Sequence, residues 1–191
     1  VKDLAIVNVL DKPIKNINKT KRVKKIKKRL RRLQRQVSRK YEENRCGNKF
    51  VKTNNIIKLE RQIKLLHRKL SKIRNNHIHQ ATNKIIKLKP YRVVMEDLNV
   101  VGMMKNKHLA KAIAEQCFYE FTRQMKYKCE FNGIEFIQVD RFYPSSKTCS
   151  ECGNIKKDLK LSDREYVCEE CGCVIDRDKN ASINLGNYGL V

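Results

Sequence analysis

The sequence has no apolar stretch near the roughly 18 residues that a membrane-spanning helix needs, and its N-terminus lacks the apolar run of a signal peptide. We therefore expect a soluble, cytoplasmic protein with no membrane partner. A secreted disulfide framework is also disfavoured. The chain has eight cysteines, but it is long and Lys-rich, and four of the cysteines fall in two Cys-x-x-Cys pairs, which favours metal ligation.

Acidic residues are scarce in one half of the chain. Residues 1–95 hold 30 basic and 5 acidic side chains, a net charge of +25, whereas residues 96–191 hold 14 and 15, a net charge of −1. A positive field confined to one region attracts a polyanion, because each cation that neutralises a phosphate releases a condensed counterion. Nucleic acid is therefore the expected partner. A merely solvated basic face or attachment to anionic lipid is the less favoured alternative.

The basic half has the apolar spacing of two long helices. Apolar residues recur every three or four positions from Val23 to Val37 and again from Leu59 to Ile73, and the segment between them breaks the pattern. We expect the two helices to pack as an antiparallel hairpin within about residues 19–89.

The first of these helices has almost no acidic side chain to pair with its cations. From Lys12 to Tyr41 inclusive the chain has 15 basic residues and no acidic one, so the outer face of the helix repels itself unless phosphates lie along it. Phosphate contact without base reading is the expected role of this face. The candidate nucleic-acid-binding residues are Lys24, Lys25, Lys28, Arg29, Arg31, Arg32 and Arg35.

Short apolar and β-branched runs predict strands at residues 3–10, 91–95 and 134–140, and residues 109–132 have the spacing of a further helix. With the hairpin, the order is strand, helical hairpin, strand, helix, strand, which indicates an α/β fold class. The run at 91–95 leads directly into Glu96, so the sequence predicts a carboxylate at the end of a strand.

Two Cys-x-x-Cys-Gly motifs, separated by 15 residues, predict a metal site. The four ligands are Cys149, Cys152, Cys168 and Cys171, and the glycine after each motif supplies a backbone conformation that residues with a Cβ resist. Four thiolates fill the tetrahedral shell of Zn²⁺ and leave no open position, so we expect a structural ion. Two disulfides or unliganded cysteines are the alternative.

Four motifs in one order resemble a known family. They are Val-Val-Met-Glu-Asp-Leu-Asn at 93–99, Arg-Phe-Tyr-Pro-Ser-Ser-Lys-Thr-Cys at 141–149, the two cysteine motifs, and Asp-Arg-Asp-Lys-Asn-Ala-Ser-Ile-Asn at 176–184. The chain resembles the C-terminal half of TnpB, the OrfB family of transposon-encoded proteins, which is related to the compact type V CRISPR nucleases. The resemblance implies an RNA-guided, Mg²⁺-dependent DNA endonuclease associated with transposition, with DNA and a guide RNA as partners. It leaves the oligomeric state open.

The resemblance also implies a fold and a domain order. Members of the family have an RNase H-like (RuvC) nuclease fold, an α/β fold with a mixed sheet, interrupted by a zinc ribbon. In this chain the resemblance implies a nuclease core at residues 1–144 with the basic hairpin inserted at about 19–89. The zinc ribbon then lies at 145–175, and the last RuvC motif with a C-terminal helix lies at 176–191.

The family uses three carboxylates, Asp, Glu and Asp, for catalysis. By motif position the resemblance implies Glu96 as the second and Asp178 as the third, with Asp176 as the alternative for the third. Such carboxylates hold a pair of divalent ions, one activating water and the other stabilising the leaving oxygen. From the residues alone, Glu96 is better interpreted as an exposed acid after a strand, and Asp178 looks the same as a helix N-cap.

The first carboxylate is where this sequence departs from the family pattern. The matching Gly-x-Asp-x-Gly stretch would fall just before Val1, and Asp3 aligns with a later, non-catalytic position whose side chain faces the other side of the strand. Two interpretations follow: a nuclease module whose sequence is cut short, or an inactive fragment that only binds nucleic acid through its hairpin and zinc ribbon. A ribosomal or tRNA-binding zinc ribbon also fits the charge and cysteines, but it does not predict Glu96 and Asp178.

The segment just before the first cysteine motif combines aromatic, cationic and hydroxyl side chains, which suit a stacked base and its phosphate. The resemblance implies that this segment lines a nucleic-acid channel beside the active site. Its Phe142 is either part of this surface or a core residue. The candidate nucleic-acid-binding residues here are Arg141, Tyr143, Ser145, Ser146 and Lys147.

Overall fold

Helices and short strands alternate along the chain in the computed structural model, which describes residues 2–160 and 162–189. The elements, in chain order, are β1 (Asp3–Ala5), β2 (Ile14–Lys15), α1 (Lys21–Glu43), β3 (Arg45–Cys46), β4 (Lys49–Phe50), α2 (Asn54–Ile86), β5 (Arg92–Glu96), α3 (Val100–Met104), α4 (Ala110–Gln116), α5 (Phe118–Phe131), β6 (Glu135–Val139), β7 (Glu165–Val167), β8 (Val174–Asp176) and α6 (Arg177–Gly186). The fold class is therefore α/β, as the sequence predicts.

The chain divides into two units. The hairpin unit is residues 16–79, which hold α1, the β3–β4 turn and most of α2. The sheet unit is residues 1–15 and 80–191, which hold the other strands and helices.

The hairpin unit is built on a seam between α1 and α2. Its core is Val23, Leu30 and Leu70, each at most 8% exposed, and the partly buried side chains packed against it are Ile17, Ile26, Ile63, Leu66 and Ile73. The seam uses the apolar positions that the three- and four-residue spacing picks out. Burial of this apolar stripe is the main source of the stability of the two helices.

Hydrogen bonds at the two ends of the hairpin set its antiparallel register. Near the turn, the Tyr41 hydroxyl donates to Glu60 Oε1 at 2.8 Å. At the open end, Arg74 Nε donates to Asn18 Oδ1 at 2.9 Å. The segment that breaks the helical pattern contains a short antiparallel β-hairpin, β3–β4, in which Arg45 pairs with Phe50. The two helices therefore run in opposite directions along their whole contact.

In the sheet unit, β5 and β6 pair in parallel, with Glu96 beside Val139 at the carboxyl end. The crossover between them carries α5, whose inner face buries Phe121, Met125 and Cys129. Both strands match the runs predicted at 91–95 and 134–140. Parallel pairing with a helical crossover brings the carboxyl ends of both strands to one edge of the sheet.

Two elements of the sheet unit differ from the sequence prediction. The strand expected over residues 3–10 ends at Ala5, because the chain turns with a hydrogen bond from Leu10 N–H to Val7 O. The helix expected over 109–132 is broken at Cys117, which has a left-handed φ of 55° and separates α4 from α5. Cys117 itself is half-buried.

Candidate functional site

Glu96 is the last residue of β5 and is exposed. Its Oε1 accepts a 2.6 Å hydrogen bond from Ser145 Oγ. The next residue, Asp97, accepts from Arg141 Nη2 at 2.6 Å and from Gln138 Nε2 at 3.2 Å. Both carboxylates at the end of β5 thus contact residues at or just beyond the end of β6.

Asp176 and Asp178 lie at the beginning of α6 and have different local roles. Asp176 is the N-cap, and its Oδ1 accepts from the backbone N–H groups of Asp178 and Lys179, both at 3.0 Å. Asp178 lies in the first turn, is exposed, and contacts Arg177 Nη2 at 3.0 Å. The N-cap interpretation of Asp178 is therefore wrong, because the capping carboxylate is the one two residues earlier.

Two buried asparagines on α6 bind an earlier segment of the chain, residues 145–150. Asn180 is 0% exposed; its Nδ2 donates to Thr148 O at 2.6 Å and its Oδ1 accepts from Ser150 N–H at 3.0 Å. One turn later, Asn184 Nδ2 donates to Ser145 O and to Thr148 O, each at 2.7 Å. Because Ser145 also contacts Glu96, these bonds link the helix that carries Asp178 to the end of β5.

A contact at the other end of α6 gives its direction along β5. Arg92, the first residue of β5, donates from Nη2 to the carbonyl of Gly186, the last residue of α6, at 3.2 Å. The helix therefore begins toward the Glu96 end of the strand. Sequence reasoning missed the asparagines, although their i, i+4 spacing at the last motif is the signal of two side chains on one helix face.

The four predicted thiols come together. The sulfur atoms of Cys149, Cys152, Cys168 and Cys171 all lie within 4.8 Å of one another. The Sγ–Sγ distances are 3.6 Å between Cys149 and Cys171 and 3.5 Å between Cys152 and Cys168, so the disulfide alternative is wrong for this structure, since a disulfide needs about 2.05 Å.

The two cysteine motifs form matching turns. In the first, Gly153 N–H donates to Cys149 O and Cys149 N–H donates to Asn154 O; in the second, Gly172 N–H donates to Cys168 O and Cys168 N–H donates to Cys173 O. Gly153 and Gly172 have φ of 76° and 71°, the region that residues with a Cβ resist. The strands β7 and β8 flank the second turn and pair antiparallel, and Tyr166 of β7 is buried against the thiols.

The thiol cluster fits a tetrahedral metal ion. Four sulfurs at the usual Zn–S distance of about 2.3 Å would be roughly 3.8 Å apart, close to the separations observed. Backbone N–H donation from Cys171, with that from Glu170, lowers the pKa of Cys168 to about 6 although burial acts the other way, whereas the neighbouring thiols and burial raise the pKa of Cys171 to about 12 against its backbone bond with Cys173. A thiol that loses its proton near neutral pH is suited to bind a cation. The cluster is therefore compatible with zinc.

The predicted phosphate contacts on α1 are all exposed. This group consists of Lys24, Lys25, Lys28, Arg29, Arg31, Arg32 and Arg35. None of them lies in the core of the hairpin unit, whose buried α1 positions are Val23, Leu30 and Leu33. Helix α1 thus presents cations to solvent over several helical turns.

The aromatic segment before the first cysteine motif is placed less uniformly. Phe142 is 86% exposed, so its interpretation as a core residue is wrong, whereas Ser145 is 4% exposed and its hydroxyl is engaged with Glu96. Tyr143 packs edge-on against Tyr188 with ring centroids 5.0 Å apart. Lys147 Nζ donates to Lys157 O at 3.0 Å, and Ser146 is half-buried. Nucleic-acid contact by these residues stays a prediction.

Comparison with known families is decisive for the assignment. Residues 1–107 match the family model OrfB_IS605, described as a probable transposase, and residues 118–185 match the TNB domain of Cas12f1-like proteins. The chain belongs to the OrfB/TnpB family. The second match covers the thiol cluster and all of α6 except its last residue.

Curated relatives support this membership. A "Putative RNA-guided DNA endonuclease" of Streptomyces pristinaespiralis is 35% identical over 157 residues, covering 82% of this chain and 36% of the relative. The "Putative RNA-guided DNA endonuclease InsQ" of Escherichia coli K12 is 32% identical over 167 residues, covering 80% of this chain and 39% of the relative. This OrfB/TnpB chain therefore spans less than two fifths of either protein.

Solved structures share the fold. A cryo-EM structure of a CRISPR-Cas12f ternary complex superposes with a TM-score of 0.68 at 24% identity, covering 97% of this chain and 36% of that one. A Cas12f1–sgRNA–target DNA complex gives a TM-score of 0.64, also at 24% identity, with 96% and 46% coverage. Within the described residues, no helix is both long and apolar enough to cross a membrane.

Proposed function

We propose that this chain is the nuclease portion of an RNA-guided DNA endonuclease, with Glu96 and Asp178 as divalent-cation ligands. The observation that supports this most directly is the hydrogen-bonded link from α6 through Asn184 and Ser145 to Glu96. It connects two carboxylate-bearing elements that are separated by 80 residues of sequence. Membership in the OrfB/TnpB family supplies the substrate class, a DNA strand paired to a guide RNA.

The chemistry follows from the carboxylates. Carboxylate oxygens are the ligands that Mg²⁺ prefers, and bound Mg²⁺ would polarise the scissile phosphate and lower the pKa of the attacking water. Glu96 and Asp178 would orient the cation by their fixed positions at a strand end and a helix start. Asp176 is the alternative third carboxylate, although its Oδ1 already caps α6.

The remaining parts of the chain would bind the nucleic acid and a structural zinc ion. The cations on α1 would neutralise phosphates without reading bases, and Arg141, Tyr143, Ser146 and Lys147 would line the path of the strand beside Glu96. The thiol cluster would hold a structural Zn²⁺ that orders the segment between β6 and α6. In this proposal the RuvC core is residues 1–144 with the hairpin inserted, the zinc ribbon is 145–175, and the last RuvC motif is 176–191.

Cleavage of single-stranded DNA by the purified chain in Mg²⁺ tests the proposal. Glu96→Gln and Asp178→Asn should each abolish cleavage while DNA binding, measured by anisotropy, is retained. The matched control is Glu135→Gln, an exposed acid at the opposite end of the β5–β6 pair, and it should cleave normally. Asp176→Asn keeps a capping side chain, so loss of cleavage there alone would make Asp176 the third carboxylate.

The alternative is a protein that only binds nucleic acid. It predicts DNA binding that depends on the α1 cations, with no Mg²⁺-dependent cleavage by the wild-type chain and no difference between wild type and Glu96→Gln. Restoring cleavage by adding an upstream Gly-x-Asp-x-Gly segment in frame would favour the nuclease.

A further inference from the structure

Ser145 lies between the two elements that carry the candidate carboxylates. Its side chain is buried, with 4% of the residue exposed. Its Oγ donates to Glu96 Oε1 at 2.6 Å, and its carbonyl accepts from Asn184 Nδ2 at 2.7 Å. A hydroxyl–carboxylate bond of this length is charge-assisted and belongs to the stronger class of hydrogen bonds.

Glu96 itself is exposed at the end of a strand, where a long side chain samples several rotamers unless something holds it. The bond from Ser145 is made to one carboxylate oxygen, Oε1. Among the residues that the structure describes, Oε2 has no hydrogen-bond partner. The arrangement therefore fixes the carboxyl group by one oxygen and leaves the other available to a ligand from solvent.

The donor is itself held rigidly. Ser145 N–H donates to Tyr143 O at 2.8 Å, and Asn184, which binds the Ser145 carbonyl, is 6% exposed and also binds Thr148 O. A site is held well when its supporting side chains are locked by packing and by their own hydrogen bonds. The burial of Ser145 also leaves it little surface for a phosphate, the role that the sequence predicts for it.

We propose that Ser145 is a positioning residue that holds Glu96 by Oε1 so that Oε2 faces a divalent cation. The proposal rests on the proposed function, because it takes Glu96 as a cation ligand. It assigns to Ser145 a role in the carboxylate site in place of direct contact with nucleic acid.

Binding of Mn²⁺ to the zinc-loaded chain, measured by water proton relaxation without DNA, tests this role without requiring turnover. Mn²⁺ prefers oxygen ligands and leaves the thiol cluster to zinc. Glu96→Gln should remove the Mn²⁺ site, and Ser145→Ala should weaken Mn²⁺ binding roughly tenfold or more, since hydrogen bonds to charged groups are the costlier ones to lose. The matched control is Ser182→Ala, which removes the hydroxyl of another buried serine, one bonded to the carbonyl of Lys179, and should leave Mn²⁺ binding unchanged.

A spectroscopic arm separates hydrogen bonding from packing. The Glu96 side-chain carboxyl ¹³C resonance, assigned by its loss in Glu96→Gln, should move in Ser145→Ala and stay in place in Ser182→Ala. Ser145→Cys keeps the volume with a much weaker donor, so it should behave like Ser145→Ala. Wild-type Mn²⁺ affinity in Ser145→Cys would instead mean that the site needs only a filled volume, which overturns the proposal.

The two proposals fail in different ways. If Glu96→Gln weakens Mn²⁺ binding but Ser145→Ala does not, the carboxylate site stands and the positioning role of Ser145 is overturned. If Glu96→Gln binds Mn²⁺ as the wild type does, the cation site at Glu96 is overturned, and the role of Ser145 falls with it.

Discussion

The hairpin unit and the sheet unit are each stabilised by different interactions. The hairpin unit has 23 basic and 3 acidic side chains, a net charge of +20, whereas the sheet unit has 21 and 17, a net charge of +4. The first is stabilised by one repeating apolar seam. The second depends on a thiol cluster and on hydrogen bonds between residues far apart in sequence, such as Ser145 with Glu96 and Asn180 with Thr148.

This difference suggests a division of labour. A charged surface that binds phosphates needs only a rod with cations along one face, and small displacements of any one cation cost little. A site that holds a metal ion against a reacting phosphate needs its ligands placed within about half an ångström. The unit with the candidate carboxylates is accordingly the one that is cross-linked by buried polar bonds.

Loss of the proposed structural ion should distinguish the two units most clearly. In Cys168→Ser the free energy of unfolding of the sheet unit should fall by several kcal/mol, because the binding energy of a structural ion is folding energy. Hydrogen exchange should show lost protection in residues 145–176 and unchanged protection in α1. Cys46→Ser, which removes the exposed thiol of the hairpin turn, is the control and should change neither; loss of α1 protection in Cys168→Ser would contradict the division.

A substitution in the seam should destabilise the hairpin unit and leave the thiol cluster of the sheet unit unchanged. Leu70→Ala removes a side chain that is 4% exposed at the centre of the hairpin core, and it should lower the free energy of unfolding of the hairpin unit by about 2–5 kcal/mol. Leu65→Ala, on the same helix but 54% exposed, should cost much less. Urea unfolding followed by far-ultraviolet circular dichroism measures both, and equal costs would show that the seam does not stabilise the unit. Co²⁺ binding by the thiol cluster should be the same in both variants.

Removal of cations from α1 should weaken DNA binding more than removal of cations from the sheet unit. Replacing Arg31, Arg32 and Arg35 with Gln should lower the slope of log K against log salt by roughly 2 if all three contact phosphates, which corresponds to roughly a hundredfold weaker DNA binding near 0.1 M salt. The matched control removes three exposed cations of the sheet unit, Lys105, Lys107 and Lys111. Equal loss of slope in both variants would mean that the α1 face is not a dedicated binding surface.

The smallest effect that we predict tests the polar link within the sheet unit. Asn180→Ala leaves Ser150 N–H without its partner and leaves Thr148 O with only the bond from Asn184, which should cost about 1–3 kcal/mol of the free energy of unfolding. The control is Asn187→Ala, an exposed residue at the end of α6, and it should cost less than about 0.5 kcal/mol. A similar cost for both would remove the evidence for a clamp between α6 and the first cysteine motif.

Sequence patterns predicted the elements that depend on near neighbours. The spacing of Val23, Leu30 and Leu70 predicted the seam, and the two Cys-x-x-Cys-Gly motifs predicted which thiols meet, because a helix face and a tight turn are set within a few residues. The break at Cys117 was not predictable in this way, since the apolar spacing continues across it. The left-handed backbone conformation of Cys117 depends on tertiary packing.

The sequence by itself determined the strongly basic helical rod, the four thiols and the strand that ends at Glu96, because periodicity, spacing and local charge are properties of the chain. Only the tertiary structure decided that Asn180 and Asn184 bind the segment before α6, and that Ser145 reaches Glu96 across 49 positions. Those contacts join residues that no local pattern relates. They form because buried polar groups must find partners wherever the fold brings them.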